Sequence, residues 1–128
     1  LDSFISSRQE AALYYDDAFQ DCEDITPLLV PVERKSGYHL YVIRLNFDAC
    51  ETTRAEVMTD LRDKGIGSQV HYIPIHTQPY YQKNVCPGLT LSETEAYYQT
   101  CLSIPIFPFM SKHDQDCVIE AVKDCVSN

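Results

Sequence analysis

"TTRAEVMTDLRDKGIGSQVHYIPIHTQPYY", residues 52–81, decides the fold class because its hydrophobic period changes halfway along. In the first half Val57, Met58 and Leu61 fall on one face of a 3.6-residue helix. Thr53 and Glu56 have capping-box spacing, in which each side chain satisfies a backbone N–H that the first helical turn leaves without a partner. Gly65 can take the left-handed position just past the helix end. From Ser68 the pattern alternates as "SQVHYI", which predicts a strand with Gln69, His71 and Ile73 on one face and Val70 and Tyr72 on the other. Pro74 has no N–H to give a sheet ladder, so that strand ends there or lies at an edge. The prolines predict loop, not helix, for the remainder of the stretch.

The flanks continue the mixture. Residues 2–22 carry Phe4, Ile5, Ala11, Ala12, Tyr15 and Phe19 with no Pro or Gly between them, and predict one long helix. "TPLLVPVERKSG" (26–37) reads as extended chain and turn, and "YHLYVIRLNF" (38–47) as a central strand. Ser92 and Glu95 repeat the capping-box spacing ahead of a buried stripe of Tyr98, Cys101 and Leu102. "IPIFPFM" (104–110) is expected as a short strand or extended segment limited by Pro105 and Pro108. Ser111 and Asp114 mark the start of a last helix whose core face is Val118, Val122 and Cys125. Helices alternating with two or three strands predict an α/β (α+β) fold, a small two-layer sandwich of a short sheet with helices.

A chain of 128 residues, 45% hydrophobic and 23% charged, is one domain's worth with a single core. Its net charge is −9, and the ten Lys and Arg are scattered singly. It lacks the basic footprint that phosphate-backbone binding needs, so nucleic acid is not an expected partner, and neither is an anionic membrane. No apolar run is long enough to cross a bilayer and no secretion signal is present, so the expected location is the cytoplasm. The chain opens on Leu1, which suggests a processed product or a piece of something longer. The six cysteines contain no CxxC, and three occupy helix core positions, so reduced thiols are expected. No pair of Cys or His has the short spacing of a zinc site, and no metal is expected.

His71, near a strand end, has an imidazole that can donate to phosphate, hydroxyl or carboxylate, or shuttle a proton. Tyr72, Tyr80 and Tyr81 offer rings on which a base or sugar can stack. The competing reading makes His71 and these tyrosines core. His76 follows Pro74 by two residues and is expected in exposed loop; His39 reads as structural and His113 as surface. No G-x-S-x-G, P-loop or H-E-x-x-H is present, and "GIG" at 65–67 leaves a helix instead of opening one. No residue of the chain is assigned a catalytic role, and the pattern looks like half of a site.

Three blocks in order, "HLYVIRLN", "KGIGSQVHYIPIHTQPYY" and "TEAYYQTCLSIPIFPFMSKHDQDCVIEAV", resemble the C-terminal part of the DegT–DnrJ–StrS family of nucleotide-sugar aminotransferases. The resemblance covers nearly the whole chain. Within the family it is most similar to the transaminases that make UDP-4-amino-4,6-dideoxy-N-acetyl-L-altrosamine for pseudaminic acid. It implies a fold-type-I, pyridoxal-phosphate-dependent enzyme that moves an amino group from glutamate to a 4-keto nucleotide sugar. Such enzymes are homodimers whose sites are shared by a large domain, a small domain and the partner subunit.

By the same resemblance, residues 1–22 are the helix leading from a large domain outside this sequence, and 23–128 are the small domain. His71 matches a histidine that approaches the sugar and His76 the second half of a P-x-H element; with Tyr72, offered by its ring for stacking, they are the expected substrate-binding residues. Gln82 stands where many relatives place arginine; if that arginine holds a phosphate, a neutral amide would hold it less firmly. The Schiff-base lysine of the family lies in a Ser-x-His-x-x-Lys segment, and none of Lys35, Lys64, Lys83, Lys112 or Lys123 has that context. The chain alone is therefore expected to bind no pyridoxal phosphate and to transfer no amino group. A non-catalytic module that binds a sugar nucleotide or a protein is the alternative, and a purely structural domain is a third reading.

Overall fold

The computed structural model describes residues 1–127. Five α-helices and three strands follow the order α1 (Asp2–Phe19), β1 (Ile25–Pro27), β2 (Tyr41–Leu45), α2 (Arg54–Asp63), α3 (Pro79–Asn84), α4 (Ser92–Thr100), β3 (Cys101–Ile104) and α5 (Lys112–Val126). A single 3-10 turn, Ile75–Thr77, precedes α3. The sheet is antiparallel in the order β1-β2-β3, so β2 is central, as its aromatic and β-branched content predicts. The fold is the small α+β sandwich expected from the sequence.

One face of the sheet presents Ile25, Tyr41, Ile43, Leu45, Leu102 and Ile104 to the core. Against them pack Ala12, Tyr15 and Phe19 of α1, Val57 and Leu61 of α2, and Val118 and Val122 of α5. Buried tyrosines keep their hydroxyls satisfied: Tyr41 donates to Asp16 Oδ1 at 2.6 Å and Tyr15 to the Pro105 carbonyl at 2.9 Å. Burial drives both phenol pKa values well above the ordinary 10. The six cysteines are free thiols, and no described helix is long and apolar enough to cross a membrane.

The helix of the opening stretch forms as its sequence specifies. Thr53 accepts from the Glu56 N–H while Glu56 reaches back to the Thr53 N–H at 2.8 Å. At the other end Gly65 takes φ 78, its N–H bonds Arg62 O, and Ile66 N–H bonds Leu61 O at 2.8 Å. This is a Schellman exit, with Ile66 and Leu61 completing its apolar contact in the core. Ser111 likewise caps α5 by accepting from Asp114 N–H.

Four expectations are corrected. "SQVHYI" makes only one isolated bridge, Gln69 to Ser103, because the backbone turns sharply before Tyr72. The third strand is Cys101–Ile104, ahead of "IPIFPFM", and it takes Cys101 and Leu102 out of the helical stripe. Residues 79–84 are helical, since Pro79 sits in the first turn, where a missing N–H costs no hydrogen bond. Ser92 forms no box: Leu91 is the N-cap, with no side-chain bond from it. The extended segment after α1 contributes the short edge strand β1, ending on Pro27.

Candidate functional site

Between α2 and α4 the chain forms a turn that the helix exit at Gly65 and the Gln69–Ser103 bridge hold in place. Tyr72 N–H donates to Val70 O at 2.9 Å, and Tyr72 itself adopts φ 47. Left-handed backbone costs a non-glycine residue about 1–2 kcal/mol. The Tyr72 ring is 70% exposed, so its own burial does little to offset that cost. Tyr38, Glu51 and Phe109 share this conformation; what sets the Tyr72 turn apart is the His71 imidazole beside it, whose Nδ1 has no partner among the described residues.

His71 is half-buried at the base of the turn. Its ring meets Tyr97 of α4 edge-on, with centroids 5.9 Å apart, and lies 5.4 Å from the Tyr72 ring. The Cys101 thiol is directed at the His71 carbonyl at 3.8 Å. Nδ1 of His71 is buried with no hydrogen-bond partner among the described residues. A buried lone pair without a donor is less costly than a buried N–H without an acceptor, so the arrangement favours the tautomer that carries its proton on Nε2. An Nε2–H can donate to a phosphate, hydroxyl or carbonyl oxygen.

The structure brings His71 and Tyr72 together and places His76 elsewhere. His76 is not exposed, as its loop position predicted: it is only 6% accessible, and Nε2 lies 2.8 Å from Glu95 Oε1. The same oxygen accepts from Leu91 N–H at 3.0 Å. The hydrogen bond from His76, followed by that from the Leu91 backbone, holds the Glu95 carboxyl below the usual carboxylate range. Gln82, the departure noted in the sequence, turns inward and donates to the His76 carbonyl at 2.6 Å. Tyr80 is exposed and Tyr81 half-buried, the two rings edge-on. His39 lies exposed ahead of β2, and His113 lies on the outside of α5.

Arg54 was not singled out by sequence, yet it secures the element that backs His71. Its guanidinium donates to the Gln99 carbonyl at 3.2 Å and the Cys101 carbonyl at 3.4 Å, and stacks 4.7 Å above the Tyr98 ring. Gln99 lies in the last turn of α4 and Cys101 caps that end, where a cation is favoured. A cleft of about 310 Å³ lies nearby between residues 67–69 and 103–106, but His71 and Tyr72 do not line it.

The fold, a three-stranded antiparallel sheet backed by helices, is similar to that of solved sugar aminotransferases. PseC of Helicobacter pylori, an aminotransferase involved in the biosynthesis of pseudoaminic acid, is 28% identical over 96% of this chain, with a TM-score of 0.85. DesV of S. venezuelae is 25% identical over 99% of it, with a TM-score of 0.86. The chain covers 33% of each. The profile of the DegT/DnrJ/EryC1/StrS aminotransferase family matches residues 1–123, and the chain belongs to that family. The spore coat polysaccharide biosynthesis protein SpsC of Bacillus subtilis (strain 168) is 38% identical over 98% of this chain and 33% of its own length. The chain thus spans about a third of the relatives it matches.

Aminotransferases of this family use pyridoxal phosphate, and the residues present do not fit that group. An imine-forming lysine works as a desolvated amine. Lys35, Lys64, Lys83 and Lys112 are exposed and Lys123 half-buried. Lys64 is held 2.9 Å from Asp124, which raises its pKa, the opposite of what a nucleophilic amine requires.

Proposed function

We propose that this chain is the small, C-terminal domain of a pyridoxal-phosphate-dependent aminotransferase acting on a 4-keto nucleotide sugar. Glutamate gives up its amino group to become 2-oxoglutarate, and the keto carbon of the sugar becomes the amine. In this reading residues 1–22 lead from the large domain, which holds the cofactor lysine, and 23–128 supply substrate contacts and part of a homodimer surface. The sugar belongs to a cell-surface or flagellar glycan, of the pseudaminic acid type, and the enzyme works in the cytoplasm. The chain by itself is inactive.

The observation that carries the reading is the turn at His71 and Tyr72. A strained backbone holds an aromatic ring in solvent beside an imidazole whose Nε2–H is poised to donate, a pairing that suits the ring and oxygens of a sugar nucleotide. The alternative of a packed core histidine leaves the unpartnered His71 Nδ1 unexplained.

The test begins with the coding sequence on the amino side of Leu1, where a Ser-x-His-x-x-Lys element is expected. In the polypeptide so defined, His71→Ala should lower kcat/KM for glutamate-dependent amination at least tenfold, equivalent to about 1.4 kcal/mol, with the melting temperature little changed. Loss of stability with full specific activity would make His71 structural. A stable internal-aldimine absorbance band from the 128-residue chain alone would contradict the proposed division of labour.

A further inference from the structure

We propose that His76 is a positioning residue: through Glu95 it pins the His71–Tyr72 turn to α4, instead of touching ligand itself. The proposal rests on the reading of that turn as substrate-facing, but its structural half stands on separate observations. Between Tyr72 and α3 the chain has few ways to hold its place. The segment 72–77 has no sheet partners, Tyr72 is strained, and Ile73 and Ile75 are both more than half exposed. Pro74 is buried between them but has no N–H to bond, so the directional hold on the segment comes from its hydrogen bonds.

His76 supplies it from both its ring and its backbone. The ring, 6% accessible, donates from Nε2 to Glu95 Oε1 at 2.8 Å. Its carbonyl accepts from Gln82 Nε2 at 2.6 Å, which ties the segment to α3. Thr77 Oγ1 donates to the Pro74 carbonyl at 2.8 Å and closes the intervening turn. Glu95 in turn is fixed by accepting the Leu91 N–H at the start of α4. One carboxylate oxygen thus receives two donors, one from the loop and one from the helix end, and an acceptor-only group can serve both at once.

α4 is a firm support for such a pin. Its far end is held by Arg54, and from its middle Tyr97 abuts the His71 ring. Both histidines are thereby registered against one helix, His71 by contact with Tyr97 and His76 by the bond to Glu95. Loss of the pin would let 72–78 relax, and the strain stored at Tyr72 would favour that relaxation.

Amide hydrogen exchange of the full chain tests this. His76→Leu fills similar space without a donor, whereas His76→Gln keeps an N–H close to the position of Nε2. The expected result is that His76→Leu speeds exchange of the hydrogen-bonded amides of Tyr72, Thr77 and Gln78 by roughly tenfold or more, leaves those of β2 unchanged, and is largely reversed in His76→Gln. Glu95→Ala, which removes the acceptor from a partly exposed site, should reproduce the leucine result and keeps the test open if His76→Leu misfolds. Equal exchange in His76→Leu and His76→Gln, or none above the unmodified chain, overturns the proposal. Titration with UDP-N-acetylglucosamine separates the two readings. If His71→Ala leaves its NMR-detected binding unchanged, the substrate-facing reading fails, while the exchange comparison still decides the pin.

Discussion

Tyr72 is the residue at which sequence and structure most disagree, and the disagreement is informative. Alternation in "SQVHYI" places its side chain on a strand face, yet the left-handed backbone sends the ring into solvent. Period alone cannot register a turn that a single residue makes at its own steric cost. The adjacency of His71 and Tyr72 was legible, because it is covalent; the partner of His76 was not, because Glu95 lies 19 positions away and carries no local signal for a histidine. Glycine takes positive φ without penalty, so Tyr72→Gly should relieve about 1–2 kcal/mol of strain and lose roughly 0.4–1 kcal/mol to added unfolded-state entropy. The expected net effect is a melting temperature a few degrees higher than that of Tyr72→Ala, together with weaker ligand binding. A Tyr72→Gly variant that melts below Tyr72→Ala would show that the backbone is not strained there.

Elements with a clear chemical signal of their own were the ones legible in the sequence. α2 has its box and its glycine exit, α5 has Ser111, and β2 has dense β-branched and aromatic content. α4 had neither kind of punctuation at its end. It runs into β3 at Cys101 with no Pro or Gly, and Tyr98, Cys101 and Leu102 happen to keep helical spacing across the boundary. The stop is tertiary: Arg54, from another helix, takes the carbonyls of Gln99 and Cys101. The cap of α2 is by contrast local and separable. Thr53→Ala should cost about 1 kcal/mol, read as a lower denaturation midpoint with an unchanged slope, whereas a neutral result would mean Glu56 alone suffices.

At the scale of the whole molecule, the charge-bearing bonds define a pH range of stability. Glu56 and Glu95 both titrate below their ordinary 4.5, Glu56 chiefly through Thr53 and Glu95 chiefly through His76. As pH drops, the unfolded chain takes up protons at these positions first, so their stabilisation is complete above about 4.5 and is lost as pH falls through the folded values. Tyr15 and Tyr41 act at the other end: the unfolded phenols ionise near 10 while burial keeps the folded ones protonated, so stability declines as pH rises beyond 10. A melting curve against pH should therefore fall on both sides. Replacing Glu56 and Glu95 by Gln should flatten the acid limb only; an unchanged acid limb would assign acid sensitivity to other carboxylates.

The sheet order set out above also governs how the chain reaches its native state. β2 finds β1 close by, but its other neighbour, β3, lies roughly sixty residues further along, and that intervening loop must be closed before the pairing yields any return. The segment to be threaded into place contains α2, the histidine turn, α3 and α4. Until β3 arrives, one edge of β2 stays bare, with Tyr41, Ile43 and Leu45 open to collision with other chains. During synthesis β2 leaves the ribosome well ahead of β3, so the newborn chain passes through an adhesive interval whose length is set by topology.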